Sequence, residues 1–244
     1  MRHCSYTDLY KDSRLVEGED YGRRHRRHGR FDDDLAQQGG VDKTAVIAPH
    51  GGGIEPGTSE LCLAIAGYHP ATLEVTPPGG VTYDYWMFEG LRGSDNDELH
   101  VTSTACDDGV ALSLCGGALN ALTLHGCTPA AAGEEEGTPI VLVGGRNQTL
   151  KQYLLAAFAI ADPKVAAKDA WDIRALNGDD ADNIVNRTLL GMGGHLELTT
   201  PLRLAMFEKN TREDRKNTTT PVFWAFVTAC RAALARLEAE QVVL

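Results

Sequence analysis

Residues 43–58 read Lys43-Thr44-Ala45-Val46-Ile47-Ala48-Pro49-His50-Gly51-Gly52-Gly53-Ile54-Glu55-Pro56-Gly57-Thr58. The first six, apolar from Ala45 onward, make a run of strand length, and a glycine-rich loop follows. Residues 59–67 then continue as an apolar helix, with Thr58 placed as its N-cap. Strand, glycine loop and helix together are an α/β beginning. Working outward, strand-like runs lie at 99–104, 121–125, 140–143 and 196–199, and helices at 148–160 and 221–240. Strands alternate with helices, which predicts an α/β fold with a largely parallel or mixed sheet covered on both faces. Residues 72–85 and 128–139 are rich in Gly, Pro and small side chains and are expected to be surface loops.

Upstream, residues 21–34 crowd Arg23, Arg24, Arg26, Arg27 and Arg30 before Asp32, Asp33 and Asp34. Such a run is expected to be a solvated hairpin or loop whose two halves partly neutralise each other. Gly39 and Gly40 punctuate the chain before the first strand, taken to begin at Lys43. Residues 1–40 are thus read as an N-terminal extension with a charged loop, on a single catalytic domain spanning 1–244.

The 244 residues are 43% hydrophobic, enough for one sizeable core, and contain no run near the roughly 18 continuous apolar residues of a membrane span. The net charge of -11, from 34 acidic and 23 basic side chains, argues against affinity built on phosphate neutralisation, so no nucleic-acid partner is expected. An anionic substrate needs a local basic pocket. Six scattered cysteines with no C-x-x-C pair indicate reduced thiols. The N-terminus lacks the apolar core of a secretory signal, so the expected chain is a cytoplasmically made monomer without a membrane partner.

Three ionisable side chains fall where strands end. His50 closes the first strand, His125 closes Ala121-Leu122-Thr123-Leu124-His125, and Glu55 lies five residues beyond His50. Ligands gather at the carboxyl ends of strands in open α/β sheets. Two imidazoles and a carboxylate can hold a catalytic zinc and leave a fourth position for water. The glycines between His50 and Glu55 allow the sharp turn that aims both at one point. The competing reading is a backbone-bonded histidine and a helix-capping glutamate.

A base is needed beside such a metal. Glu197 is the candidate, a lone carboxylate in the apolar run Leu196-Glu197-Leu198, where burial is costly unless the group is paired or functional. A solvent-facing glutamate on an edge strand is the alternative. His195 shares its strand face. Arg146, after Val143-Gly144-Gly145, and Arg187, after Asn183-Ile184-Val185-Asn186, could grip a substrate carboxylate, stabilise an oxyanion or form structural ion pairs.

The run from Ala48 to Glu60 resembles the signature of the poly-γ-glutamate hydrolase family, zinc enzymes known from bacteriophages and bacteria. In the family's order there follow Phe88-Glu89-Gly90-Leu91, Leu99-His100-Val101-Thr102-Ser103-Thr104, Leu124-His125-Gly126-Cys127, Val143-Gly144-Gly145-Arg146, Asn183-Ile184-Val185-Asn186-Arg187 and Leu196-Glu197-Leu198-Thr199. The similarity spans about residues 17–207. One departure is Ala105-Cys106-Asp107-Asp108-Gly109, where the family has Phe-Asp-Glu-Pro. The resemblance implies a zinc-carboxypeptidase-like three-layer αβα sandwich around a central mixed sheet. It also implies one zinc (Zn2+) per chain on His50, Glu55 and His125, Glu197 as general base, and His100 in a supporting role. The implied function is hydrolysis of γ-glutamyl amides, with an anionic polyamide or peptide as substrate. Peptidoglycan peptides or N-acyl amino acids are alternative substrates, and a non-catalytic polymer-binding phage protein is the alternative of another class.

Overall fold

A computed structural model of the chain describes residues 2–28 and 44–241. Seven strands form one sheet, β1 (Tyr21–Arg26), β2 (Thr44–Gly52), β3 (Asp84–Gly90), β4 (Asn120–Cys127), β5 (Val141–Gly144), β6 (Ala167–Asp169) and β7 (Gly194–Thr199), in the order β1-β3-β2-β4-β7-β5-β6. The four central strands β3, β2, β4 and β7 run parallel, while β1 pairs antiparallel with β3 and β5 antiparallel with β7. The sheet is therefore mixed, as expected. Parallel strands covered on both faces read as unbroken apolar runs, and every residue of β2, β3 and β7 is buried.

One face packs α2 (Thr58–Ile65), α4 (Gln148–Ala159) and α6 (Pro221–Glu240) over Val46, Met87, Leu124 and Leu196. The other packs α1 (Tyr6–Tyr10) and α3 (Gly109–Gly116) over Ile47, Trp86, Phe88 and Ala121. These two layers complete an αβα sandwich, with a short α5 (Thr200–Ala205) following β7. No helix among the described residues is long and apolar enough to cross a membrane.

Several local expectations change. Within the amino-terminal residues, Tyr6 and Leu9 are fully buried, and the basic run, expected as a hairpin or loop, supplies edge strand β1. Two of its arginines are paired with carboxylates, Arg23 with Glu17 and Asp108 and Arg24 with Glu89, while Arg26 lies over the Tyr68 ring. The acidic residues Asp32 to Asp34, Gly39, Gly40 and Lys43 lie outside the described residues. Residues 99–104 form no strand. They run between two 3₁₀ turns, Asn96–Leu99 and Ser103–Ala105. Gly57, at φ 103°, caps α2, while Thr58 is its first residue and donates its hydroxyl to Glu55 O at 2.9 Å. The departure at Asp107-Asp108 is structural, for Asp108 caps α3 through Val110 N and Ala111 N, and Asp107 accepts from Thr7 N.

Candidate metal centre

The pairing of β2 with β3 slips by one residue between Ala48 and Gly51. This bulge re-aims His50 at the strand end, as bulges beside functional sites do. Tyr6 OH donates to Pro49 O at 2.5 Å and braces the bulge from α1. On β4 and β7, His125 is the register partner of Glu197, and Thr123 of His195. Parallel partners share a face, and His125, His195 and Glu197 of this face reach a cavity of about 350 Å³ whose wall also includes His50, Glu55, His100 and Asn183.

Within it, His50 Nδ1 lies 2.9 Å from Glu55 Oε1 and 3.1 Å from His125 Nδ1, and His125 Nδ1 lies 3.6 Å from Glu55 Oε2. The outer nitrogens are engaged elsewhere. His50 Nε2 is 2.7 Å from Val101 O, and His125 Nε2 is 3.1 Å from Ser103 Oγ. A carbonyl only accepts, so His50 Nε2 carries the proton and Nδ1 of the neutral ring presents a lone pair. That lone pair faces a carboxylate oxygen and a second imidazole nitrogen. Such a set is joined either by a proton carried on His125 Nδ1 or by a metal ion. Glu55 is held in place by Gly126 N, which donates to Oε2 at 2.8 Å.

The electrostatics agree with a cation-hungry cluster. Burial opposes ionisation of Glu55, yet His50 and His125 hold its carboxyl well below the usual carboxylate range. Burial likewise opposes charge on His50, but the Glu55 carboxylate lifts it above its ordinary value. Burial and neighbouring His195 push His125 down. His100 is closer than expected. Its ring stacks 3.9 Å from that of His50, its Nε2 lies 3.8 Å from Glu55 Oε1, and burial followed by His50 lowers it to about 4. His50, Glu55 and His100 also form a group able to hold a metal. His125 makes the shorter contacts to His50 and Glu55, and its outer nitrogen is engaged by Ser103.

Glu197 is buried, and its Oε1 lies 3.1 Å from His195 Nε2, whose Nδ1 lies 2.9 Å from Thr123 Oγ1. His195 thus bridges the Thr123 hydroxyl and the Glu197 carboxyl, an arrangement that orients the carboxyl group.

The two arginines are not brought to the cavity. Because β5 runs antiparallel to β7, with Gly144 opposite His195, its carboxyl end points away from those of β2, β4 and β7, and Arg146 is exposed there. The 3₁₀ turn Ile184–Asn186 presents its capping Asn183 to the cavity and leaves Arg187 exposed beyond its other end. Asn186 is the structural member of that motif, donating to Gly178 O and Asp180 O. Sequence reading missed Ser103, Gly126 and Arg203. The buried Arg203, between Leu202 and Leu204, carries the same signal that exposed Glu197, a lone charge in an apolar run.

The model of a family described as poly-gamma-glutamate hydrolase matches residues 23–229. The chain belongs to this family. Among similar proteins, the SPbeta prophage-derived UPF0714 protein YoqZ of Bacillus subtilis (strain 168) is 32% identical over 185 residues, 76% of this chain and 59% of that protein. The chain thus spans less than two thirds of that relative's length. UPF0714 protein YmaC of the same organism is 30% identical over 192 residues, 79% of this chain and 72% of its own. Among solved structures, a bacteriophage poly-gamma-glutamate hydrolase superposes with a TM-score of 0.78 at 26% identity, covering 98% of this chain and 99% of that one. A zinc-free apo form of YndL superposes with a TM-score of 0.77 at 23% identity, covering 96% and 98%, and supports the fold.

Proposed function

We propose that the chain is a zinc-dependent hydrolase of γ-glutamyl amide bonds, with poly-γ-glutamate as its substrate, in which His50, Glu55 and His125 hold the metal and Glu197 is the general base. The observation that carries this reading is the convergence of two imidazole Nδ1 atoms and both Glu55 oxygens, each imidazole backed at Nε2. Family membership and the likeness to a bacteriophage poly-gamma-glutamate hydrolase support the substrate class. The zinc-free form described for YndL supports zinc as the metal.

Zinc on two imidazoles and a carboxylate acidifies water and polarises an amide carbonyl. The protein's own residues set the rest. Val101 O fixes the tautomer of His50, Val101 O and Ser103 Oγ fix the ring angles of His50 and His125, and Gly126 N fixes Glu55. His195 occupies Glu197 Oε1, which leaves Oε2 to accept the proton of the attacking water and return it to the departing amine. Asn183, Thr102, Thr104 and His100 line the cavity with neutral donors for the substrate.

Elemental analysis paired with a digest tests the reading. Purified protein should carry about one zinc per chain and shorten poly-γ-glutamate. Preferential cleavage of peptidoglycan γ-glutamyl peptides or N-acyl amino acids would move the substrate, and a zinc-replete protein with no turnover on any γ-glutamyl compound would leave a polymer-binding role.

A further inference from the structure

A buried cation lies just behind this ligand set. Arg203 on α5 is only 8% exposed, and its hydrogen bonds run to neutral acceptors. Nη1 donates to Pro56 O at 3.0 Å, Nε to Leu198 O at 3.2 Å and Nη2 to Thr200 Oγ1 at 3.1 Å. The guanidinium also lies flat against Gly126, where a Cβ would come within 2.6 Å of Arg203 Cζ. Pro56, Gly126 and Leu198 are the residues immediately following Glu55, His125 and Glu197. One side chain therefore touches the successor of each, on three different segments: the loop after β2, strand β4 and strand β7.

Resting on the reading of Glu55, His125 and Glu197 given above, we propose that Arg203 is a positioning residue that locks these three segments in register and so fixes two metal ligands relative to the general base. The chemistry of the side chain suits this task. A guanidinium presents five donors in a rigid plane and stays charged, so it can bind carbonyls in different directions at once, whereas an ammonium is a compact point. Gly126 contributes by lacking a side chain. It admits the guanidinium on one side while its N–H holds Glu55 Oε2, so loop and strand are tied twice. Packing alone does not call for a charge here, because a buried cation with no contacting carboxylate costs stability and apolar residues of similar volume commonly replace such groups without loss of fold. Burial does push Arg203 below its ordinary value, and the fields of Glu55, Cys127 and Glu197 oppose that shift. The two site carboxylates thus help keep the cation charged, and it in turn holds their backbones.

Zinc affinity separates positioning from packing. Full-length wild type, Arg203→Lys and Arg203→Met are stripped of metal, melted by circular dichroism and titrated with zinc alone against a chromophoric chelator. The expected result is cooperative melting of the metal-free variants with zinc binding about 10- to 100-fold weaker than wild type, the size of effect seen when partners of metal ligands are removed. Thr200→Ser, which keeps that acceptor and the hydroxyl's own bond to Cys127 O, should match wild type, while Thr200→Val, which deletes both and keeps the guanidinium, should lose less than the Arg203 variants. Folded Arg203 variants with wild-type zinc affinity overturn the positioning role. Where an Arg203 variant fails to fold, Thr200→Val decides in its place, and unchanged affinity there overturns the role equally. A wild type that binds no zinc removes the functional reading itself, an outcome recognised before any variant is compared.

Discussion

Ser103 Oγ sits 3.1 Å from His125 Nε2, and two residues earlier Val101 O sits 2.7 Å from His50 Nε2. A single short segment thus backs both imidazoles of the candidate centre. It does so because it is not a strand. Curling between two 3₁₀ turns, it can aim a carbonyl and a hydroxyl at one cavity, whereas in a strand the carbonyl would point within the sheet plane toward a neighbouring strand and the side chain out of that plane.

This brace predicts a graded loss of metal. His50→Ala and His125→Ala should each abolish stoichiometric zinc, since two ligands seldom hold a catalytic ion. Ser103→Ala should keep the metal but weaken it by roughly 10- to 100-fold, and His100→Ala should leave one zinc per chain. Metal content after gel filtration and chelator competition read all four. Full zinc in His125→Ala with loss in His100→Ala would exchange the roles of these two histidines.

Glu197→Gln keeps the shape and the hydrogen bond to His195 but removes the proton acceptor. Its kcat should fall roughly 100- to 10,000-fold with zinc unchanged. His195→Gln should cost less, and the double variant little more than Glu197→Gln alone, because His195 acts through the carboxylate. Additive losses in steady-state kinetics would give His195 a separate task.

The fold was legible in residues 43–58 because an apolar run and a glycine loop each constrain the backbone locally. His50, Glu55, His125 and Glu197 were legible because polar residues stand out at the ends and within the interiors of apolar strands. The braces were not. Val101 acts through its carbonyl and Gly126 through its N–H, which every residue possesses, and Ser103 sits in Val101-Thr102-Ser103-Thr104, whose β-branched residues favour a strand until tertiary contacts decide otherwise. The direction of β5 was equally hidden, since nothing in Val141–Gly144 tells parallel from antiparallel. Arg146 was misplaced for that reason.

Glu60, at the start of α2, offers a test by pH. Burial raises its pKa above the ordinary 4.5, Arg215 at 3.1 Å works against this, and Glu89 adds to it. A carboxyl whose folded pKa is raised contributes stability below its unfolded value and loses that contribution as pH rises through the folded one. Glu60→Gln mimics the protonated acid and keeps an acceptor for Arg215. Its melting temperature should therefore match wild type below pH 4.5 and exceed it near neutrality. A variant less stable than wild type at neutral pH would show that the Glu60–Arg215 attraction outweighs burial.

The exposed arginines bear on how a polyanion reaches a chain of net charge -11. Arg146 and Arg187 do not line the cavity, so they cannot grip the carboxylate next to the cleaved bond, but as surface cations they can steer a long anionic chain toward it. Steering is a long-range effect, screened beyond about 8 Å at physiological ionic strength and about 3 Å at 1 M. Arg146→Ala and Arg187→Ala should therefore lower kcat/KM on poly-γ-glutamate at low salt by less than about tenfold, and the loss should vanish as salt is raised. On a small γ-glutamyl amide both variants should match wild type at any salt. Lysine should replace either arginine without loss, since a point charge suffices where no bidentate fork forms. A loss in Arg146→Lys or Arg187→Lys that persists at high salt would require direct contact with substrate, and hence a bound arrangement in which these side chains reach the cavity.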